Sequence, residues 1–186
     1  MENKTMMKLV IGTEAIFFLC LIMSFIYLAF VSGYEPANLK ALNIKAAAVF
    51  TGILIASSGT FQLAEKSYKK GNTRWLKRWL LVTLLLGLIF LSGQAREYIG
   101  LVHQQITVSS SLFGASFYTL TGFHSLHVLI GLVIFIILFV LISLGDFEKP
   151  GSSVISCAGM YWHFVDIVWL VVFMIVYVLP VMHLVK

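Results

Sequence analysis

Charged side chains are scarce in this sequence, and their scarcity limits what the protein can be. Of its 186 residues only 11% are charged, whereas 60% are hydrophobic and the mean hydropathy is +0.96. A soluble domain needs a more polar surface than this composition supplies, so the sequence excludes a water-soluble globular protein. It predicts a membrane protein, in which lipid surrounds most of the surface.

Cysteine is also scarce, since the chain contains only Cys20 and Cys157. Their spacing matches no Cys-x-x-Cys or Cys-x-x-x-Cys pattern, and no histidine adjoins either residue. We therefore expect neither a structural disulfide nor a cysteine-bound cofactor. Both cysteines are interpreted as small buried hydrophobic side chains.

Long apolar runs fill most of the chain. A hydrocarbon core about 30 Å thick needs roughly 20 apolar residues per helix. Five stretches meet this requirement and leave only short connections between them, so we predict an all-α, polytopic membrane protein. Its five transmembrane helices would form one bundle in a single domain of residues 1–186. The predicted helices cover about 9–31, 42–63, 76–95, 114–144 and 154–182.

The first predicted span follows Lys4 and Lys8, as a signal peptide would. However, no small-residue cleavage pattern comes after it. The segment from Gly33 to Pro36 is instead typical of a turn. We interpret the first span as a retained helix.

Basic residues are distributed unevenly between the loops. If the N-terminus is cytoplasmic, nine basic residues lie on the inner side and four on the outer side. The positive-inside rule therefore predicts a cytoplasmic N-terminus and an exterior, periplasmic C-terminus. The basic run at residues 66–70 is interpreted as a topology and headgroup signal, so no nucleic-acid partner is predicted despite the net charge of +5. The nine inner residues are Lys4, Lys8, Lys66, Lys69, Lys70, Arg74, Lys77, Arg78 and Lys149, and the four outer ones are Lys40, Lys45, Arg96 and Lys186.

Small side chains recur every four residues along the second span. Such a stripe lets a neighbouring helix backbone approach closely, so we expect this face to pack within the bundle. The stripe does not indicate any particular chemistry. It consists of Ala48, Gly52, Ala56 and Thr60.

Ionisable side chains lie inside two of the apolar runs, one at residues 121–128 and the other at residues 161–169. Such groups are rare in hydrocarbon and usually mark function. His163 and Asp166 are three residues apart on one helix face, which predicts a local hydrogen-bonded pair. His124 and His127 share a face in the same way and would suit a metal pair. No His-Glu-x-x-His or Glu-x-x-His pattern accompanies them, so a zinc-hydrolase site is disfavoured.

Haem is a second cofactor that histidines on membrane helices bind. A bis-histidine haem needs ligands at matching depth on two helices. By helical rise, His124 and His163 differ in depth by roughly 10 to 15 Å, which disfavours a haem between them. A free-standing membrane cytochrome b or a small transporter nevertheless remains an alternative interpretation of His124, His127 and His163.

Two carboxylates lie near the ends of predicted spans. Glu14 is about one turn inside the first span, where its carboxyl group needs either a proton or a partner. A helix-to-helix tether, with Lys8, Lys66 or Lys69 as partner, is favoured over a proton-handling role. Glu97 closes the third span beside Arg96 and Tyr98, a placement typical of interfacial anchoring with an Arg-Glu contact.

Four motifs together resemble subunit III of the haem-copper terminal oxidases, in its cytochrome c oxidase and quinol oxidase forms. The similarity runs almost from end to end and is strongest in the last two motifs. The motifs are Thr13-Glu14-x-x-Phe17-Phe18, Gln94-x-x-Glu97-Tyr98, Thr121-Gly122-Phe123-His124-x-x-His127-Val128-x-x-Gly131 and Tyr161-Trp162-His163-Phe164-Val165-Asp166-x-Val168-Trp169.

The resemblance implies a non-redox subunit of a respiratory, proton-pumping oxidase in the bacterial cytoplasmic membrane. No catalytic residue, haem or copper would belong to this chain, because oxygen reduction takes place in subunit I. The chain would contact subunit I directly, bind phospholipid and support proton uptake. Glu14 would correspond to the family's membrane-buried reactive glutamate. The other matched polar residues, Glu97, His124, His127, His163 and Asp166, would fix the bundle.

Two departures from the family pattern accompany this resemblance. Many members have seven helices, and the present sequence resembles the five-helix bacterial form, without the first pair that walls a lipid-filled cleft. Residues 108–111 replace an acidic stretch found in many relatives. A closely related alternative is the accessory, subunit III-like protein of nitric oxide reductases, which shares the fold.

Overall fold

The structure is entirely helical in the part of the chain that it describes. A computed structural model describes residues 2–32, 42–145 and 153–180, and no strand occurs in these ranges. Each helix is long and apolar enough to cross a membrane, which confirms the predicted all-α, multi-pass membrane protein. The helices are α1 (Glu2–Ser32), α2 (Ile44–Lys69), α3 (Thr73–His103), α4 (Leu112–Leu144) and α5 (Ser153–Phe173), which continues through a π-helical turn, Met174–Val178.

The helices are longer than the apolar runs that predicted them. α1 begins at residue 2 rather than 9, and α2 and α3 continue to residues 69 and 103 rather than 63 and 95. The added segments are rich in Lys, Glu and Arg, which are good helix formers that can reach the headgroup layer. Hydropathy alone therefore underestimates them. The predicted turn at residues 33–36 lies outside the described residues, as does the predicted last helix beyond residue 180.

The connections define two ends of the bundle. At the turn end, residues 70–72 join α2 to α3, and Gly71 has a φ of 70° that a residue with a side chain rarely adopts. At the loop end, residues 104–111 join α3 to α4. Side-chain caps begin three of the helices and satisfy otherwise unpaired backbone N–H groups. The capping residues are Asn43 for α2, Asn72 for α3 and Ser111 for α4.

The centre of the bundle is formed by α4 and α5, which pack against each other. α5 also contacts α1 and α2, and α4 also contacts α1 and α3. α2 and α3 form the most extensive antiparallel pair. α1 lies at the edge of the bundle and leaves most of its length exposed.

Close helix approach depends on glycines that face aromatic rings. A Cβ atom on Gly131 of α4 would lie 2.7 Å from the indole of Trp162, and one on Gly87 of α3 would lie 2.6 Å from Leu132. Trp162 is fully buried as a result, between α3, α4 and α5. These contacts position α5, which carries several of the polar side chains described below.

The small-residue stripe does not pack within the bundle as expected. Ala48, Gly52 and Ala56 are exposed, and no heavy atom lies within 4 Å of a Cβ placed on Gly52. Only Thr60 reaches another helix, through a 2.8 Å hydrogen bond to Thr83 of α3. The spacing of the small residues does not determine which face of α2 turns inward. The larger side chains on the other faces of the helix determine this orientation.

Candidate functional site: an intramembrane polar network

The interface between α2 and α5, here called the α2–α5 seam, is joined by side-chain hydrogen bonds along its length. Tryptophan N–H groups in a membrane interior need acceptors, and small hydroxyl side chains on α2 supply them. Sequence reasoning did not identify these hydroxyl partners, although a tryptophan facing Ser and Thr at matching depth is a usable signal. The bonds are Trp169 to Thr51 (3.0 Å), Trp162 to Ser57 (3.0 Å) and Ser156 to Glu65 (2.6 Å).

His163 and Asp166 do not form the predicted pair. Nδ1 of His163 is hydrogen-bonded to the hydroxyl of Ser58 on α2, at 2.5 Å. Asp166 is buried, and neither carboxyl oxygen has a hydrogen-bond partner within the described ranges. A spacing of three residues places two side chains about 60° apart around the helix, and α2 supplies a closer partner for the histidine.

Glu65 is a further carboxylate of the seam and was absent from the predicted site. It lies near the turn end, where it accepts the bond from Ser156 and pairs with Lys69 at 3.1 Å. Lys69 is thus occupied on its own helix and does not reach Glu14. The i,i+4 spacing of Glu65 and Lys69 is the sequence signal for this pair.

Glu14 and His127 form the contact between α1 and α4 that most resembles a reactive site. Oε2 of Glu14 lies 3.0 Å from Nε2 of His127, while Nδ1–H of His127 donates to the carbonyl of Phe123 at 2.8 Å. Tyr161 donates to the carbonyl of His127 (3.1 Å), and the ring of Phe18 packs edge-on against the imidazole, 4.9 Å between centroids. The side chains are 33% exposed for Glu14 and 11% for His127.

Glu14 thus pairs with His127 and not with Lys8 or Lys66, which the sequence had suggested as partners of the carboxylate. Since α1 begins at Glu2, Glu14 lies twelve residues, about 18 Å, from the start of its helix. At this position the partner within hydrogen-bond distance is a histidine of α4 and not one of the predicted lysines.

His124, one turn from His127, has no hydrogen-bond partner for either ring nitrogen in the described part of the chain. It is fully buried and stacks on Trp169 with 4.7 Å between ring centroids. The ring of Phe90 meets it edge-on at 6.0 Å. His124 therefore occupies an aromatic enclosure between α3, α4 and α5.

Glu97 also turns inward instead of anchoring α3 at the interface. The hydroxyl of Tyr177, in the π-helical turn, donates to Oε2 of Glu97 at 2.7 Å. Arg96 is exposed and forms no ion pair with Glu97 or with any other described residue. Tyr98 forms a 2.8 Å hydrogen bond with Thr121 of α4, so this segment links α3 to both α4 and α5. Tyr177 was not predicted as a partner, because it lies in an uninterrupted apolar run.

His124, His127 and His163 are not brought together as ligands of one metal ion or one haem. No group of three or more His, Cys, Asp and Glu that could hold a metal ion occurs in residues 2–32, 42–145 and 153–180. His124 is level with Trp169, six residues beyond His163 on α5, which corresponds to about 9 Å along the helix. This separation is slightly below the range expected from the sequence and still too large for two ligands of one haem.

Comparison with known proteins identifies the family of the chain that carries this polar network. The family model for cytochrome c oxidase subunit III matches residues 3–181, which is nearly the whole chain. The chain belongs to the cytochrome c oxidase subunit III family. The resemblance inferred from the four motifs is thereby confirmed.

Relatives within the cytochrome c oxidase subunit III family come from several organisms. A probable cytochrome c oxidase subunit 3 of Nocardia farcinica is 39% identical over 168 residues, covering 90% of this chain and 83% of the relative. The corresponding Mycobacterium leprae protein gives the same identity and coverage. Cytochrome c oxidase subunit 3 of Synechocystis is 34% identical over 155 residues, covering 83% of this chain and 65% of the relative.

Proposed function

We propose that the chain is a non-redox subunit of a respiratory haem-copper oxidase that packs against the catalytic subunit I and the other oxidase subunits. Haem and copper belong to those partner subunits. The chain stabilises subunit I, binds membrane phospholipid and supports proton uptake during oxygen reduction. Family membership supports the oxidase over the nitric oxide reductase accessory protein and over a free-standing cytochrome b or transporter.

The exposed Glu14–His127 pair is the observation that carries this proposal. Its helix, α1, leaves most of its surface uncovered by the rest of the bundle. A carboxylate that is 33% exposed on such a face is costly in contact with lipid alone. A polar group of a partner subunit would remove that cost, so the α1 face with Glu14 is the proposed contact with subunit I.

The same pair supports a role in proton handling. Nδ1–H of His127 donates to the Phe123 carbonyl, which leaves Nε2 facing the Glu14 carboxyl group at 3.0 Å. A carboxyl group and an imidazole at this distance can share a proton and pass it on, which is the chemistry that a role in proton uptake needs.

The orientation of the bundle is part of the proposal. The turn end is rich in basic side chains, with Lys66, Lys69 and Arg78 among them. The guanidinium of Arg78 lies 5.2 Å from the ring centre of Trp75, an arrangement suited to the headgroup layer. We place the turn end and the N-terminus in the cytoplasm and the loop end outside.

Purification through a tag on this chain, in mild detergent, tests the proposed assembly. The expected preparation shows haem absorption bands and contains a large multi-helix subunit together with a copper-bearing subunit, identified by mass spectrometry. A colourless chain that purifies alone, or with a nitric oxide reductase, would overturn the proposal. One haem bound to the chain alone would favour a cytochrome instead.

The role of Glu14 is tested separately in the assembled oxidase. Glu14→Gln keeps the shape of the side chain but removes its ability to exchange a proton, and Glu65→Gln is the matched control on α2. We expect slower proton uptake, or earlier loss of activity during turnover, only in Glu14→Gln. Equal behaviour of the two variants would restrict Glu14 to a structural role.

A further inference from the structure

A pocket of about 800 Å³ opens between α2 and α3 at the loop end of the bundle. The helix-capping residue Asn43 and residue Gln104, just beyond the end of α3, line it, so it lies where the helices leave the membrane. Val49 and Phe50 of α2 supply apolar walls. The pocket thus combines a polar opening with an apolar interior, as an amphiphilic ligand requires.

Two cations and one carboxylate line this pocket. Lys45 and Arg96 are both exposed, and neither forms an ion pair in the described ranges. Glu97 uses Oε2 to accept from Tyr177, while Oε1 has no hydrogen-bond partner among the described residues. The lining therefore carries more positive than negative charge.

We propose that this pocket binds the headgroup of one anionic phospholipid. Its phosphate lies between Lys45 and Arg96, and an acyl chain passes along Val49 and Phe50. The inference rests on the proposed function in that it gives the lipid a class and a position. The site lies between two helices of this chain and not in the cleft associated with the first helix pair of longer family members.

The charge of the lining selects this occupant. Two cations opposite one carboxylate leave an excess positive charge, which an anionic lipid neutralises and a zwitterionic lipid does not. A peptide segment of a partner protein would have to supply a comparable anion at the membrane surface as well as an apolar tail. A phospholipid carries both at the depth that the pocket occupies.

The test uses the purified oxidase complex in nanodiscs made from equal amounts of phosphatidylglycerol and phosphatidylethanolamine. Native mass spectrometry after a detergent wash is expected to show one retained phosphatidylglycerol that depends on this chain. The double variant Lys45→Gln/Arg96→Gln should bind it more weakly by a factor on the order of ten. The matched control, Lys70→Gln/Arg78→Gln at the turn end, should retain it.

The inference is overturned if the complex retains phosphatidylethanolamine as well as it retains phosphatidylglycerol. It is also overturned if the pocket variant retains as much phosphatidylglycerol as the wild type, or if the control variant loses the lipid too. If the pocket variant does not assemble, wild-type complex is photolabelled with a reactive phosphatidylglycerol. Labelled peptides should then include residues 43–50 or 93–104, and labelling confined to other segments contradicts the site.

The lipid inference and the proposed function fail in different ways. A complex with haem, copper and normal oxygen reduction but no selective phosphatidylglycerol leaves the oxidase function intact and removes only the pocket assignment. A chain that does not purify with haem-bearing partners overturns the oxidase function, whatever lipid it carries.

Discussion

The α2–α5 seam and the contact between α1 and α4 hold their helices in different ways. In the seam, hydroxyl groups of α2 meet tryptophan and histidine side chains of α5 along much of the interface. At the α1–α4 contact the hydrogen bonding between side chains is concentrated in Glu14 and His127, among packed phenylalanine rings. The seam is also buried, whereas the α1 face is largely exposed.

This difference separates two uses of polar side chains in a membrane protein. In the seam, bonds among hydroxyl, indole and imidazole groups, together with the Ser156–Glu65 bond near its end, fix the rotation and register of two helices. The ionisable pair of α1 and α4 lies at an edge, where a partner or a proton can reach it. Interior substitutions should therefore affect folding, and substitutions at the edge should mainly affect assembly and proton exchange.

Trp162→Ala should cause the largest loss of stability. Trp162 is fully buried, contacts Gly131 and donates to Ser57, so its removal leaves a cavity and breaks a bond between α5 and α2. We expect a loss of about 3–5 kcal/mol in the free energy of unfolding. It is measured from SDS unfolding in bicelles, followed by circular dichroism. Trp75→Ala, at an exposed position, is the control and should lose much less. Equal losses would contradict the distinction between seam and surface.

Gly131→Ala should have the second largest effect. The added methyl group would lie 2.7 Å from the Trp162 ring, so α4 and α5 must separate or the indole must move. A cost of about 1–3 kcal/mol is expected from overpacking. Gly52→Ala is the matched control on the exposed stripe of α2, where nothing lies within 4 Å. It should be neutral or stabilising by up to about 1 kcal/mol. The same unfolding measurement checks both, and a stable Gly131→Ala would show that the helix approach is looser than described.

The fold could be predicted from the sequence more fully than the site. Apolar runs of sufficient length are enough to predict the helices, because only helices and closed barrels satisfy the backbone in lipid. The motif residues also identified the family. Pairings such as His163 with Ser58 depend instead on helix rotation, which the larger side chains determine together. An i,i+3 spacing gave the wrong partner for His163, and a small-residue stripe gave the wrong inward face for α2.

Depth was the second quantity that the sequence did not determine well. Taking residue 9 as the start of the first helix placed Glu14 near the surface and favoured lysine partners. In the structure α1 begins at Glu2, and Glu14 lies beside His127 of α4. Helix ends in a membrane protein are determined by caps and by charged residues in the headgroup layer, so apolar length alone misplaces them by several residues.

The Glu14–His127 pair should contribute a moderate coupling energy. A double-mutant cycle with Glu14→Gln and His127→Gln isolates the interaction between the two side chains. Hydrogen bonds between membrane helices contribute about 0.6 kcal/mol on average and at most about 1.7 kcal/mol, so we expect a coupling of about 1 kcal/mol in the isolated chain. SDS unfolding in bicelles supplies the four stabilities that the cycle requires. A coupling of several kcal/mol would assign the pair to the folding core and remove the contrast with the seam.

Thr51→Val, a substitution in the seam, should cause the smallest loss of stability among these variants. Valine matches threonine in shape, so the packing against α5 stays intact while the Trp169 N–H loses its acceptor. Hydrogen bonds between membrane helices contribute about 0.6 kcal/mol on average, and we expect a loss of that size. Ser92→Ala is the control, since Ser92 is exposed and bonds only within its own helix.

The size of the stability loss in Thr51→Val shows whether hydrogen bonding or packing holds α5 in register along the seam. A loss near 0.6 kcal/mol in Thr51→Val and none in Ser92→Ala means that each bond is weak and that their number along the interface holds α5 in register. If Thr51→Val is as stable as the wild type, packing of Trp162 and Trp169 alone determines that register. The seam would then differ from the α1–α4 contact only in burial and not in hydrogen bonding.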